Sequence, residues 1–263
     1  MKYAWVLVVA SVLGTVARGE EKALILPGES FQVGGKMAFI LWPETRSTPQ
    51  AWVLYAPTLP GLPDVHEKWM HEQFLAAGVA VAGVDVGESY GSPKGNEGLS
   101  ALYRELTESR GFAPRPCLLG RSRGGLIVSS WAIANPDKVA GIAGIYPVLD
   151  VRSYPGLEKA APSYGMTTEE LQTKLGDLNP IQRAGILASK RVPVFLIHGD
   201  EDTVVPLKDN SAALVSRYQA DGAKDAITLQ IAPGQGHNYW EGFFRCRPLI
   251  DFVISRAKSG AAK

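Results

Sequence analysis

The sequence predicts an α/β fold built on a mainly parallel sheet with helices on both faces. From residue 36 to the end, short apolar runs alternate with amphipathic ones, which is the rhythm of strand-helix-strand units. The runs Val79-Ala80-Val81-Ala82-Gly83-Val84 and Val192-Pro193-Val194-Phe195-Leu196-Ile197 are apolar throughout, as strands covered on both faces must be. A composition of 46% hydrophobic and 20% charged residues over 263 positions suits one substantial core.

Taken in order, the chain opens with Met1-Lys2, an apolar stretch from Tyr3 to Val16, and Ala17-Arg18-Gly19 before Glu20. A positive start, an apolar centre and small residues at a cleavage point mark residues 1–19 as a secretory signal peptide. Its 14-residue apolar centre is shorter than the roughly 20 residues a membrane-spanning helix needs, so no membrane span is expected. The mature chain is expected to be one domain over residues 20–263, secreted or periplasmic. Losing Lys2 and Arg18 takes 27 basic residues to 25 against 26 acidic ones. That balance gives no footprint for nucleic acid or an anionic membrane, and it leaves the oligomeric state open.

Strands are expected near 36–42, 51–56, 79–85, 115–121, 138–146, 192–198 and 226–232, with helices over 65–77, 97–109, 124–134, 207–218 and 247–258. Between Val148 and Lys190 the rhythm breaks at Tyr154-Pro155-Gly156, Ala161-Pro162-Ser163 and Asn179-Pro180. One short helix is announced there by the capping-box pattern Thr167-Thr168-Glu169-Glu170. We read residues 148–190 as a small cap insertion over the carboxyl edge of the sheet.

The run Gly120-Arg121-Ser122-Arg123-Gly124 reads as G-x-S-x-G between the apolar strand Pro116-Cys117-Leu118-Leu119 and the helical stretch Leu126 to Ala134. A serine on such a strand-to-helix turn has its hydroxyl exposed, and the flanking glycines remove side chains that would clash. A serine needs a base to take its proton. Of the four histidines, His237 lies in Pro233-Gly234-Gln235-Gly236-His237-Asn238, directly after the last expected strand. An acid must then orient the imidazole. The strand Val194 to Ile197 runs into His198-Gly199-Asp200-Glu201-Asp202, from which Asp202 is selected. The order Ser122, Asp202, His237, with spacings of 80 and 35 residues, is the order of a serine-hydrolase site on an open parallel sheet.

These residues resemble the α/β-hydrolase superfamily, and in particular the catalytic domain of prolyl-oligopeptidase-type and dienelactone-hydrolase-type enzymes. In those families a strand ending in H-G-x-x-D-x-x-V-P carries the triad acid, and His198 to Pro206 matches it with Asp202 in the acid position. The resemblance covers roughly residues 36–258 and implies an α/β-hydrolase fold. It also implies that Asn179-Pro180-Ile181 leads into the acid strand. His198 is then a structural residue under the acid loop, with Asp200 and Glu201 solvated.

The family's His-Gly-x oxyanion element is replaced here by Pro57-Thr58-Leu59. Leu59 N–H is therefore expected as the first oxyanion donor and Arg123 N–H as the second, since proline has no N–H to give. An arginine just after the serine also resembles the elbow of glucuronoyl esterases, where that side chain helps bind the oxyanion. By that analogy Arg123 supplements the oxyanion hole, and two further roles stand open for both Arg121 and Arg123: binding an anionic acyl group, or ion pairing beneath the cap. Thr58 and Tyr90 are further candidate substrate contacts, although the segment Asp85 to Ser92 reads more readily as a plain loop.

Nothing in the sequence implies a cofactor or a metal. His66 and His71, five apart on one expected helix, are poorly spaced for a shared ion and are assigned to surface or packing. Cys117 and Cys246 have no CxxC partner. Cys117 reads as a small buried side chain, and an oxidising compartment leaves a Cys117–Cys246 bridge open.

The expected function is a secreted serine hydrolase (carboxylesterase-like) acting on a small-molecule or polysaccharide-linked ester through an acyl-enzyme. The alternatives are a serine peptidase of the prolyl-oligopeptidase type and a non-catalytic α/β-hydrolase-like binding protein. Prolyl-oligopeptidase relatives usually carry a propeller that filters peptides, for which 263 residues leave no room, so esters are favoured over peptides.

Overall fold

The computed structural model describes residues 22–262; the expected signal peptide lies outside the described residues. One sheet of eight strands organises the described residues, in the order β1-β2-β4-β3-β5-β6-β7-β8. These are β1 (Gly28–Val33), β2 (Lys36–Leu41), β3 (Trp52–Tyr55), β4 (Ala80–Val84), β5 (Cys117–Arg121), β6 (Gly141–Ile145), β7 (Val194–Gly199) and β8 (Ile227–Ala232). Pairing is antiparallel from β1 to β2 and from β2 to β4, and parallel across the remaining strands.

Strand β1 has no counterpart among the expected strands. Its side chains are half-buried or exposed, so it lacks the continuous apolar run that marks the central strands. A usable signal was present nonetheless. Gly34 and Gly35 both have positive φ (56° and 72°), and they join Val33 to Lys36 as a two-residue hairpin.

The central strands divide their side chains between two cores, because successive residues point to opposite faces. Ala80, Ala82, Leu118, Val194 and Leu196 enter one core, while Val81, Leu119, Phe195 and Ile197 enter the other. The first core is covered by α2 (Pro93–Arg104), α3 (Gly124–Ala134) and α9 (Ser211–Ala220). The second is covered by α1 (Lys68–Ala76) and α10 (Arg247–Ala261). Helix α2 begins earlier than expected: Pro93 occupies the first helical position, and Ser92 accepts the Gly95 N–H at 3.3 Å. The chain then widens into a π turn over Glu105–Ser109.

The insertion is richer than the single helix expected. It folds as α4 (Leu157–Tyr164), α5 (Thr168–Thr173), α6 (Leu175–Leu178), α7 (Pro180–Arg183) and α8 (Gly185–Ser189). The Thr167 capping box starts α5 as read. The prolines misled elsewhere: Pro180 starts α7 at a position where its missing N–H costs nothing, and Pro162 lies inside α4.

Much of the insertion packs down one face of the sheet, with α4 on α2, α7 and α8 on α3, and α8 on α9. A buried polar strap holds its root. Asn179 accepts the Val151 N–H at 3.0 Å and donates to Asp150 at 2.8 Å, and Asn210 accepts the Leu149 and Asp150 N–H groups at 2.8 and 3.0 Å. Each amide thus satisfies backbone that leaves β6 without a sheet partner.

Cys117 and Cys246 are both free and buried, and the Cys246 thiol lies 3.3 Å from the Gln230 side-chain oxygen. No helix among the described residues is long and apolar enough to cross a membrane.

Candidate active site

Ser122 stands between the end of β5 and the start of α3 with φ of +50°, a conformation that L-residues seldom adopt. The surroundings over-determine it. Its N–H donates to Ile145 O at 3.0 Å, and its carbonyl accepts the Gly125 and Val148 N–H groups, both at 2.9 Å. The turn is so tight that a methyl group on Gly120 would lie 2.7 Å from the Gly124 carbonyl carbon, and one on Gly124 3.0 Å from Ala56 O.

The Ser122 Oγ lies 2.9 Å from His237 Nε2, and His237 Nδ1 lies 2.8 Å from Asp202 Oδ2. Since an ionised carboxylate can only accept, Nδ1 carries the proton and Nε2 is free to accept from the serine hydroxyl. Asp202 is buried. Burial alone would raise its pKa, but hydrogen bonds from His198, His237 and the Val205 N–H outweigh that and hold it well below the usual carboxylate range. Its other oxygen accepts the Val204 and Val205 N–H groups at 3.0 and 2.8 Å.

His198 is fully buried beneath this loop. Its Nε2 donates to Val205 O at 2.9 Å, and its Nδ1 meets Ser211 Oγ at 2.8 Å. Asp200, expected to be solvated, is exposed but also accepts the Gly234 N–H at 2.7 Å, tying the acid loop to the His237 loop.

A cavity of about 230 Å³ opens over Ser122. Thr58, Leu59, Arg121 and Arg123 line it. The N–H groups of Leu59 and Arg123 donate to no protein acceptor among the described residues, so both are available to a bound oxygen.

Tyr90 corrects the sequence reading. It does not line the cavity; its ring is buried with Leu126, Val148 and Ala160, and its carbonyl accepts the Tyr164 hydroxyl at 2.8 Å. The α4 segment, unseen in the sequence, covers it. The cap expectation narrows likewise, because Tyr154 alone of the insertion lines this cavity.

Sequence reasoning missed Tyr146, Val204 and Tyr239 in the lining. The signal available was position: all three follow strands β6, β7 and β8 at the edge where Ser122 emerges. Tyr146 lies with its ring 4.4 Å from that of His237 and edge-on to Phe243 at 4.9 Å.

Both arginines are paired. Arg121, 9% exposed, meets Asp64 Oδ2 at 3.1 Å and Glu67 Oε2 at 3.2 Å, and Glu67 accepts the Tyr55 hydroxyl at 2.9 Å. This cluster sits beneath the 57–67 loop rather than beneath the cap. Burial pushes the Glu67 carboxyl up to about 7 even though the Arg121 charge opposes it. Arg123 pairs with Glu88, whose carbonyl accepts from Ser163 of the insertion at 2.7 Å.

His66 stacks on Tyr239 at 4.2 Å at the cavity rim, whereas His71 is buried in the second face. Among the described residues no three His, Cys, Asp or Glu side chains cluster as metal ligands do.

The sequence profile of the prolyl oligopeptidase family matches residues 103–247, more than half of the chain and inclusive of Ser122, Asp202 and His237. No curated protein sequence matches. Similar solved structures include a puromycin-hydrolyzing peptidase of Mycobacterium tuberculosis, with 16% identity over 89% of this chain and 39% of that one and a TM-score of 0.65. An acylaminoacyl peptidase of Pyrococcus horikoshii has 16% identity over 88% of this chain and 42% of that one, with a TM-score of 0.67. Est1E from Butyrivibrio proteoclasticus has 18% identity over 87% of this chain and 98% of its own, with a TM-score of 0.65. The chain thus spans about two-fifths of the length of the two peptidases, and at these identities the likeness is one of fold. Family profile, sheet order and strand-to-helix serine agree: the chain belongs to the prolyl oligopeptidase family, serine hydrolases of the α/β-hydrolase fold.

Proposed function

We propose that this chain hydrolyses carboxylic esters of neutral acyl groups through an acyl-enzyme on Ser122. The observation that carries the reading is the continuous relay from Ser122 Oγ to His237 at 2.9 Å and from His237 to Asp202 at 2.8 Å. In the first step His237 Nε2 takes the hydroxyl proton while Oγ bonds to the carbonyl carbon, and the carbonyl π pair moves to oxygen. The N–H groups of Leu59 and Arg123 face that oxyanion. Collapse expels the alcohol, which takes the proton from His237. Water then attacks the acyl-enzyme by the same route, and Asp202 stays ionised to balance the imidazolium throughout.

A neutral acyl group is favoured because the charges near the cavity are already spent on one another: Arg121 on Asp64 and Glu67, Arg123 on Glu88. Exposed uncharged side chains stand at the rim, where Leu59 is 48% and Tyr239 59% exposed. The near-complete span of Est1E also supports an ester, while the family and the two similar peptidases favour an amide as the second reading. The Tyr3–Val16 stretch supports export as the address of this activity.

Ser122→Ala should abolish both fluorophosphonate labelling and p-nitrophenyl ester turnover with an almost unchanged melting temperature; retained turnover refutes the nucleophile. A panel of acetyl, feruloyl and glucuronoyl esters beside dipeptide amides tests the substrate class. Higher kcat/KM on the amides would overturn the ester reading.

A further inference from the structure

Leu59 is half exposed on a loop that has few anchors of its own. Pro57 and Pro60 have no N–H to donate, and the backbone bond from Leu62 N–H to Leu59 O at 3.0 Å closes only a local turn. Something must hold this loop if Leu59 N–H is to meet an oxyanion, since a donor that swings with its loop gains little.

The holding group lies far away in the sequence. The side chain of Lys22, ahead of β1, is 3% exposed, unusual for one that normally keeps its charge in water. Its Nζ donates to Pro60 O at 2.6 Å and to the two Asp85 carboxylate oxygens at 2.9 and 3.0 Å. It also lies 5.4 Å from the centre of the Phe39 ring. Asp85 directly follows β4, and its own N–H donates to Met37 O at 2.8 Å, so it is fixed to the sheet. The ammonium therefore bridges a rigid strand end to the residue immediately after Leu59, and its shielding from water strengthens the pair relative to a fully exposed one.

We propose that Lys22 is a positioning residue for catalysis: the segment before β1 straps the 57–61 loop to the end of β4 and so aims the Leu59 N–H at the oxyanion. The inference rests on Ser122 as nucleophile and Leu59 as donor. It places part of the catalytic preorganisation in the segment ahead of β1, so loss or acylation of Lys22 would slow the chemical step without touching the serine, histidine or aspartate.

The test compares wild type, Lys22→Met, Lys22→Arg and Asp85→Asn in p-nitrophenyl acetate turnover. Active sites are counted by fluorophosphonate labelling, and affinity for a boronic acid, which forms a tetrahedral adduct, is measured alongside. Lys22→Met should lower kcat per labelled site by about tenfold, leave KM within about twofold and weaken boronate binding in step with kcat. Lys22→Arg should recover part of the loss, and Asp85→Asn should show a smaller loss with Lys22 still in place. Full kcat per labelled site and unchanged boronate affinity in Lys22→Met overturn the strap while Ser122 stands. If Lys22→Met yields no folded protein, unchanged kcat per site in Asp85→Asn has the same force. Persistent turnover in Ser122→Ala removes the foundation and the strap together.

Discussion

Gly199 and Gln235 approach so closely that a methyl group on Gly199 would lie 2.0 Å from the Gln235 carbonyl oxygen. Gly199 ends β7 and leads to Asp202; Gln235 precedes His237. Two hydrogen bonds reinforce the contact, Glu201 N–H to Gln235 O at 3.0 Å and Gly234 N–H to Asp200 at 2.7 Å. The 2.8 Å contact between Asp202 and His237 is thus set by backbone packing two residues away on one side and three on the other.

Gly199→Ala should therefore separate the two loops. We expect kcat on a p-nitrophenyl ester to fall by more than about tenfold, because displacements near 1 Å are that costly, together with a lower melting temperature. Gly236→Ala is the control: its methyl would lie 3.5 Å from Glu201 O, an ordinary contact, and kcat should stay within about twofold. Equal behaviour of the two variants would show that the contact does not set the geometry.

Arg121 lines the cavity, yet its partners make it a structural residue. Arg121→Met leaves Glu67, fully buried, and Asp64 without their cation, and breaking such a buried pair costs about 3 kcal/mol. Denaturant unfolding should show that loss, while kcat per folded molecule changes little. A large fall in kcat without loss of stability would return Arg121 to substrate binding.

Arg123 should behave in the opposite way. Its pair with Glu88 is partly solvated, and such pairs add little stability. Arg123→Met should leave the melting temperature nearly unchanged yet lower kcat/KM by about tenfold, because it leaves the Glu88 carboxylate unbalanced near a cavity where negative charge develops. Full activity would end any part for this side chain in catalysis.

His71 and Glu67 carry opposing pH dependences. Burial against Tyr55 and Phe74, aided by the Arg121 charge, pushes His71 down from its ordinary 6.5 to about 3. The unfolded chain takes up that proton first, so the stability His71 contributes is present above pH 6.5 and drains away as pH falls toward 3. Glu67, raised from 4.5 to about 7, contributes stability below pH 4.5 that is lost as pH rises through 7.

His71→Leu should consequently narrow the drop in melting temperature between pH 8 and pH 5, and Glu67→Gln should raise the melting temperature at pH 8 relative to that at pH 4.5. Comparing each variant with itself at two pH values cancels any packing loss. Parallel pH profiles for wild type and both variants would show that neither group titrates as its burial demands.

The α/β class, seven of the eight strands and the turn that presents Ser122 are written in local pattern. Continuous apolar runs report strands buried on both faces, and a serine between glycines reports a strand-to-helix turn, because each is a property of a few adjacent residues. The order Ser122, Asp202, His237 was legible for the same reason: each residue follows a strand of its own, and parallel strands deliver their ends to one edge.

What the pattern did not reveal depends on residues far apart in the chain. The half-exposed β1 makes sense only beside β2, and Tyr90 left the cavity because α4 covers it. The partners of Arg121 come from 57 and 54 positions upstream, at Asp64 and Glu67, and Lys22 reaches Asp85 across 63 residues. The sequence by itself determined the sheet's class and which edge would carry the chemistry, since local periodicity encodes both. Only the tertiary structure decided which charges neutralise one another, what lines the cavity and how closely the loops meet, since burial, ion pairing and loop packing are set by neighbours that the chain brings together only on folding.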